Sequence, residues 1–253
     1  MTPFREDNGQ EGLSADLVKE LCDRPFFVET YRRMVQTVGL WESEKVLAQY
    51  FFRKTDRLLD LGCGAGRATF GLWDLGFSRV EGLDLAPGMI AAARELARKR
   101  EIPLDFREGT ALDLPYADGS FQGVFFSAGG WMQIPGRENR RQALREIHRI
   151  LSPGGIFLAT THAREMEELA PFWEDPERMD EIPAGGEFGD LLEESEHGEV
   201  FIHVPAIQEV EEDFGIMDWE DVHYISRSQI ADEPEAVHQT SDECLFWHAR
   251  KKA

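Results

Sequence analysis

Three glycines at alternate positions, Gly62, Gly64 and Gly66, follow directly on the apolar run RLLDLG, whose Asp60 stands two residues before the first of them. Glycine there admits positive φ and lets backbone come close to a ligand. A helix that begins just afterwards turns its free N–H groups toward the same space. A dinucleotide fingerprint GxGxxG counted from Gly62 needs glycine at 67, where the chain has Arg67, so the motif is GxGxG. A carboxylate at the strand end is awkward beside a pyrophosphate and suits an ammonium or sulfonium group. A tight strand-to-helix turn is the plain alternative. The second acid, Asp84, closes VEGLDL 24 residues after Asp60. That offset is close to the one between a glycine loop and a ribose-binding acid. A helix N-cap is the other reading, since Pro87 follows.

These residues need elements to carry them. RLLDLG (57–62), RVEGLDL (79–85), LDFREG (104–109), FQGVFFSAG (121–129) and IFLATTH (156–162) read as strands. Helices are expected over 66–76, closed by Gly76, over 87–100 with Pro87 in the first turn, and over 137–151. Pro153-Gly154-Gly155 is expected as a turn. Strands alternating with helices at this spacing give an α/β, Rossmann-like, doubly wound and mostly parallel sheet. Its ligand edge lies at the strand C-terminal ends. FIHVPAIQEV (201–210), DVHYISRSQI (221–230) and ECLFWHARK (243–251) are three further candidate strands. The last two would complete the sheet, to seven strands, as an antiparallel pair. Ser14 is a candidate cap for the first of three amphipathic helices before residue 54. The chain thus divides into a polar tail (1–13), an N-terminal helical lid (14–54), the ligand-binding core (55–162), an acidic insertion (163–218) and C-terminal strands (219–253).

DLGCGAGRAT (60–69), GLDLAPGMIAAAR (82–94), EGTALDLPYADGSFQGVFFSAG (108–129) and LREIHRILSPGGIFLAT (144–160) together resemble the successive motifs of class I S-adenosylmethionine (SAM)-dependent methyltransferases. The likeness is nearest to the small-molecule branch that includes the ubiquinone and menaquinone biosynthesis enzymes, and it covers about residues 55–162. It implies SAM as cofactor, S-adenosylhomocysteine (SAH) as product and a small-molecule acceptor. It also implies roles. Asp60 and Gly62 would hold the methionine ammonium, and Gly64 and Gly66 would leave room for methionine and ribose. Asp84 would take the ribose hydroxyls, and Leu85 and Met89 would pack on adenine. Ala111 would offer its backbone N–H to the ring, and Ser127 would line the methionine end. The family often has Gly-Asp-Ala where this chain has Gly109-Thr110-Ala111, so Thr110 would accept from the adenine amino group through its hydroxyl, with Asp113 as a substitute. Many relatives carry a histidine near Gln133. His162, just past the fifth strand, is the candidate base here, with His203, His223 and His238 as others. Trp131 would either wall the acceptor pocket or fill core.

Other features bound the function. The net charge is -21, and residues 163–253 hold 26 acids against 6 Lys or Arg. Such a lobe repels duplexes and anionic lipid, so nucleic acid and membrane are not expected as partners. Its aromatic side chains Phe172, Trp173, Phe188, Phe201 and Trp219 are expected to line an acceptor pocket. Cys22, Cys63 and Cys244 show no metal spacing and no disulfide framework, which fits a reducing, cytoplasmic location. The polar MTPFREDNGQEG start has no apolar signal core. Oligomeric state and acceptor identity have no sequence signal. A SAM-binding module that regulates a partner, an enzyme using a modified SAM and a dinucleotide oxidoreductase remain open alternatives.

Overall fold

A computed structural model describes residues 13–175, 182–195 and 198–253 of the chain. The tail 1–12 and parts of the acidic insertion lie outside the described residues.

Three helices come first: α1 (Ala15–Cys22), α2 (Pro25–Thr37) and α3 (Glu42–Phe51). Ser14 Oγ accepts from the Leu17 N–H at 3.2 Å, the expected N-cap. Pro25 opens α2, where its missing N–H costs nothing. The core then alternates β1 (Leu58–Leu61), α4 (Arg67–Asp74), β2 (Val80–Asp84), α5 (Pro87–Lys99), β3 (Asp105–Glu108), β4 (Phe121–Phe126), a 3-10 turn (Gly130–Gln133), α6 (Arg137–Ile150) and β5 (Leu151–Thr161). Every residue of β1 is buried, because the strand lies between β2 and β4 with helices over both faces.

The main sheet has seven strands in the order β3-β2-β1-β4-β5-β9-β8, where β8 is Trp219–Ser226 and β9 is Leu245–Lys251. Five strands run parallel, and β9 is antiparallel to both β5 and β8. The expected antiparallel closing pair is therefore present. Chain order reverses between β1 and β4, the switch point at which α/β sheets open a crevice. Leu59, Val124, Phe157, Leu144 and Ile147 fill one side of the sheet; Leu58, Phe125, Leu158, Leu72 and Phe77 fill the other.

The second half departs from the expectations in three places. Residues 201–210 are not one strand. β7 (Gly198–His203) stops before Pro205, and Ile207, Val210 and Phe214 then recur at helical spacing in α8 (Ile207–Phe214). Proline supplies no ladder N–H, so the strand ends there. β7 pairs with β6 (Asp190–Ser195) in a separate two-stranded sheet, in a stretch expected only as a lobe. Likewise β8 ends at Ser226, which caps the single turn α9 (Arg227–Ile230). The Pro153-Gly154-Gly155 turn is a bulge inside β5: register jumps from Phe121 opposite Leu151 to Gly123 opposite Ile156. Two short helices, α7 (Ala170–Trp173) and α10 (Glu235–His238), complete the described elements.

Candidate functional site

The turn from β1 to α4 takes Gly62, Gly64 and Gly66 through left-handed φ of +65°, +53° and +96°. A side chain on Gly64 would come 3.2 Å from the Tyr31 ring of α2. The missing Cβ of Gly66 serves a different end: it would strike Phe70 and Phe106 at 2.9 and 3.0 Å. Gly66 thus permits packing under the loop and is not on the cleft wall, contrary to its expected place beside the ligand.

The other nine candidate cofactor residues line one cleft of about 1060 Å³ at the C-terminal ends of β1, β2 and β4. These are Asp60, Gly62, Gly64, Asp84, Leu85, Met89, Thr110, Ala111 and Ser127. Asp84 is held by two backbone donors: Gly64 N–H to Oδ2 and Ala86 N–H to Oδ1, each at 2.8 Å. The N-cap-like bond to Ala86 and a ligand role are therefore compatible, since a carboxylate accepts about four hydrogen bonds. Burial pushes the Asp84 carboxyl above its ordinary range, against the pull of the Ala86 and Gly64 N–H groups. Asp60 is 2% exposed and accepts from Thr69 Oγ1 at 2.6 Å. Burial raises it to about 7, with the Thr69 hydroxyl opposing. Thr110 Oγ1 already accepts from the Leu112 N–H at 3.2 Å, and Asp113 is exposed and off the wall. Thr110 lines the cleft and Asp113 does not.

Residues of the N-terminal segment expected as a lid complete this cleft, Tyr31 among them. Val18 and Cys22 of α1, and Phe27 and Tyr31 of α2, close it from above. Burial, then nearby Cys22 and Asp84, push the Tyr31 phenol up to about 12. Arg67, the residue that broke the dinucleotide pattern, is buried. It is paired bidentately with the fully buried Glu44 of α3, both contacts at 2.7 Å, and donates to Gly39 O at 2.9 Å. Its guanidinium lies 4.8 Å from the Trp41 ring.

After β4 the chain passes through Ala128 (φ +51°) and Gly129 (φ +77°). A left-handed alanine costs roughly 1–2 kcal/mol. The Gly129 N–H donates to Thr160 Oγ1 at 3.0 Å, which fixes this turn to β5. Beyond it lies a second cleft, of about 1470 Å³. The two clefts share Phe27, Tyr31, Arg67, Ala128 and Gln133, so they adjoin. The second is further walled by Met34 and Trp41 below, Met132, Thr160 and His162 at the sheet edge, Val200 and Ile202 of β7, and Gln239–Asp242 at the rim.

The expected aromatic lining does not form. Phe172, Trp173 and Phe188 cluster with one another, Phe201 is buried against Val18 and Leu21, and Trp219 packs on Phe157 and Phe214. Trp131 is core, 2% exposed beside Phe214. His203 is locked between Asp190 (2.7 Å) and Glu209 (2.8 Å) and lines neither cleft. Glu187, Asp190 and His203 have the spacing of a metal cluster. Both His203 nitrogens and Arg140, which pairs with Glu187 and Glu209, already satisfy these carboxylates. His223 and His238 are also off both clefts.

Sheet order, glycine loop and strand-end acids define a class, and residues 59–159 match the sequence model of the family described as "Methyltransferase domain". That stretch, less than half of the chain, is similar to a methyltransferase domain, and the fold is shared with SAM-dependent methyltransferases. Among relatives, a demethylmenaquinone methyltransferase of Symbiobacterium thermophilum is 32% identical over 174 residues, covering 61% of this chain and 62% of that protein. The chain thus spans less than two thirds of that relative's length. A SAM-dependent methyltransferase structure from Methanosarcina mazei superposes with a TM-score of 0.66 at 20% identity, over 81% of this chain and 97% of that one. The (4+2)-cyclase SpnF gives 0.67 at 17% identity, over 97% and 100%. These likenesses are of fold.

The residues present fit SAM. Asp84 keeps free acceptor capacity in the wall, Met89 and Leu85 offer an apolar seat, and Asp60 stands at the strand end where a cation would go.

Proposed function

We propose that this chain transfers the methyl group of SAM to a small-molecule acceptor by direct in-line displacement. The observation that carries the reading is the pair of adjoining clefts: one is lined by nine of the ten expected cofactor residues, and the other opens from its Tyr31, Ala128 and Gln133 wall. When bound, SAM supplies an activated methyl group, so the protein's work is alignment and exclusion of water. Asp84 would hold the ribose hydroxyls and Asp60 the ammonium. Leu85 and Met89 would seat adenine, with Ala111 N–H and Thr110 Oγ1 on its edge. Residues 14–54 act as a lid through Phe27 and Tyr31. The segment 163–218 contributes to the acceptor wall through Val200 and Ile202, rather than through its aromatic cluster. No described helix is long and apolar enough to cross a membrane. Three free thiols suit a reducing compartment, and the cytoplasm is the proposed location.

Calorimetry with SAM and SAH, an Asp84→Ala variant and an NAD control tests this. Micromolar binding of both adenosyl ligands, lost in the variant, is the expected result. Folded protein that binds neither overturns the proposal. The likeness to a cyclase favours one second reading, a SAM-fold enzyme that leaves the methyl group in place. Conversion of SAM to SAH during turnover separates the two.

A further inference from the structure

We propose that His162 is the base of this reaction and that its acceptor is an uncharged, largely apolar compound presenting a phenol-type hydroxyl; this rests on the methyltransferase reading above.

His162 is held as a base needs to be held. Its backbone N–H contacts Met132 Sδ at 3.1 Å, and its Nδ1 lies 2.9 Å from the Glu243 carbonyl oxygen. A carbonyl oxygen only accepts, so Nδ1 carries the hydrogen, and the neutral ring presents Nε2 as a lone pair. No described group engages Nε2. Unlike His148 Nε2, it is not sealed in the interior without a partner. The ring lines the second cleft, whose neighbour Thr160 ties the Gly129 turn between the two clefts. Other candidate bases fail on place: His203 has both nitrogens engaged, and His223 and His238 are off the wall.

The charge of the cleft then selects the acceptor. Among the described lining residues the one arginine, Arg67, is already neutralised by Glu44, and the one carboxylate is Asp242 at the rim. While His162 is neutral, an anion entering here meets no free side-chain countercharge and bears its desolvation cost. An uncharged hydroxyl brings its own proton, and after transfer to Nε2 the site holds an oxyanion and an imidazolium, with no net change. Phe27, Met34, Trp41, Met132, Val200 and Ile202 supply apolar, partly flat walls around it. In the step itself the O–H proton passes to Nε2, and the oxygen's electron pair forms the new O–C bond. The pair of the broken S–C bond stays on sulfur, which leaves as the neutral thioether of SAH.

The test uses the full chain saturated with SAH. Calorimetric SAH binding first checks the underlying reading, and its failure in folded protein removes that reading together with this one. With SAH bound, 2-naphthol and 2-naphthoate share a ring and differ in charge. The naphthol is expected to bind at least about tenfold tighter, about 1.4 kcal/mol. Absorbance of bound 4-nitrophenol then reports its ionisation without any turnover. A phenolate band in wild type, reduced at least about tenfold in His162→Ala and His162→Gln while SAH binding is kept, is expected. Glutamine can still donate to Glu243 O, so a merely structural histidine would be rescued by it. Equal binding of naphthoate, binding of neither probe, or an unchanged phenolate band in both variants overturns the proposal.

Discussion

At the scale of single residues, the site works by acceptors that keep capacity in reserve. Asp84 spends one bond per oxygen on backbone and still faces the cleft. In the proposed role, two charge-assisted bonds from ribose hydroxyls would be worth about 2–4 kcal/mol together, so Asp84→Ala should weaken SAH by roughly 30- to 1000-fold by calorimetry. Asp60 gives a pH signature. Its carboxyl titrates at about 7 because burial favours the neutral form. A cationic ligand binds the carboxylate form better. SAM affinity should therefore rise from about pH 6 to about pH 8 and level off, and Asp60→Asn should flatten the profile. A wild-type profile that is flat across this window would remove Asp60 from the ammonium site.

At the scale of elements, buried ion pairs lock the helices that cover the site. Glu44 of α3 and Arg67 of α4 are a desolvated, bidentate pair. Removing the acid alone leaves an uncompensated buried guanidinium. Glu44→Ala should lower unfolding stability by about 3–5 kcal/mol in urea melts, far more than an exposed pair would. On the far side, His203 joins β7 to β6 through Asp190 and to α8 through Glu209, with Arg140 of α6 and Arg164 also bonded to Glu209. Burial lowers the His203 pKa, and the bonds to Asp190 and Glu209 outweigh it, so the net shift is upward. Protonated His203 thus stabilises the fold fully below its unfolded pKa, and this is lost as pH rises through the raised folded value. Glu209 is held at about 2 by His203, Arg140 and Arg164 despite burial; its contribution is present above the ordinary carboxylate range and disappears as pH falls toward 2. Urea midpoints of wild type should fall on the alkaline side, and those of His203→Gln should not share that fall.

At the scale of the whole molecule, charge and hydrophobic period were legible early, and side-chain company was not. The excess of acid in residues 163–253 should keep the chain off nucleic acid: no retardation of a DNA duplex is expected at about 0.1 M salt, and retardation would refute this reading. The parallel core followed from sequence because short continuous apolar runs and helices of period 3.6 are properties of neighbouring residues. So were Gly64 at the loop and Asp84 at its strand end, since both are fixed by distance along a strand–turn–helix unit. The break at Pro205 was present in the sequence too, but the apolar positions of 201–210 fit either period until packing chose between them. Nothing local could show that Gly66 spares Phe70 and Phe106, that Phe201 fills the floor beneath α1, or that Arg67 finds Glu44 23 residues away. The second cleft is the extreme case: α2, the edge of β5, β7 and the 239–242 rim meet only in three dimensions. The sequence by itself determined the sheet, the cofactor loop and its acids, because these depend on local spacing. Tertiary structure alone decided what walls the second cleft and which His162 nitrogen meets the Glu243 carbonyl, because those depend on which distant surfaces bury one another.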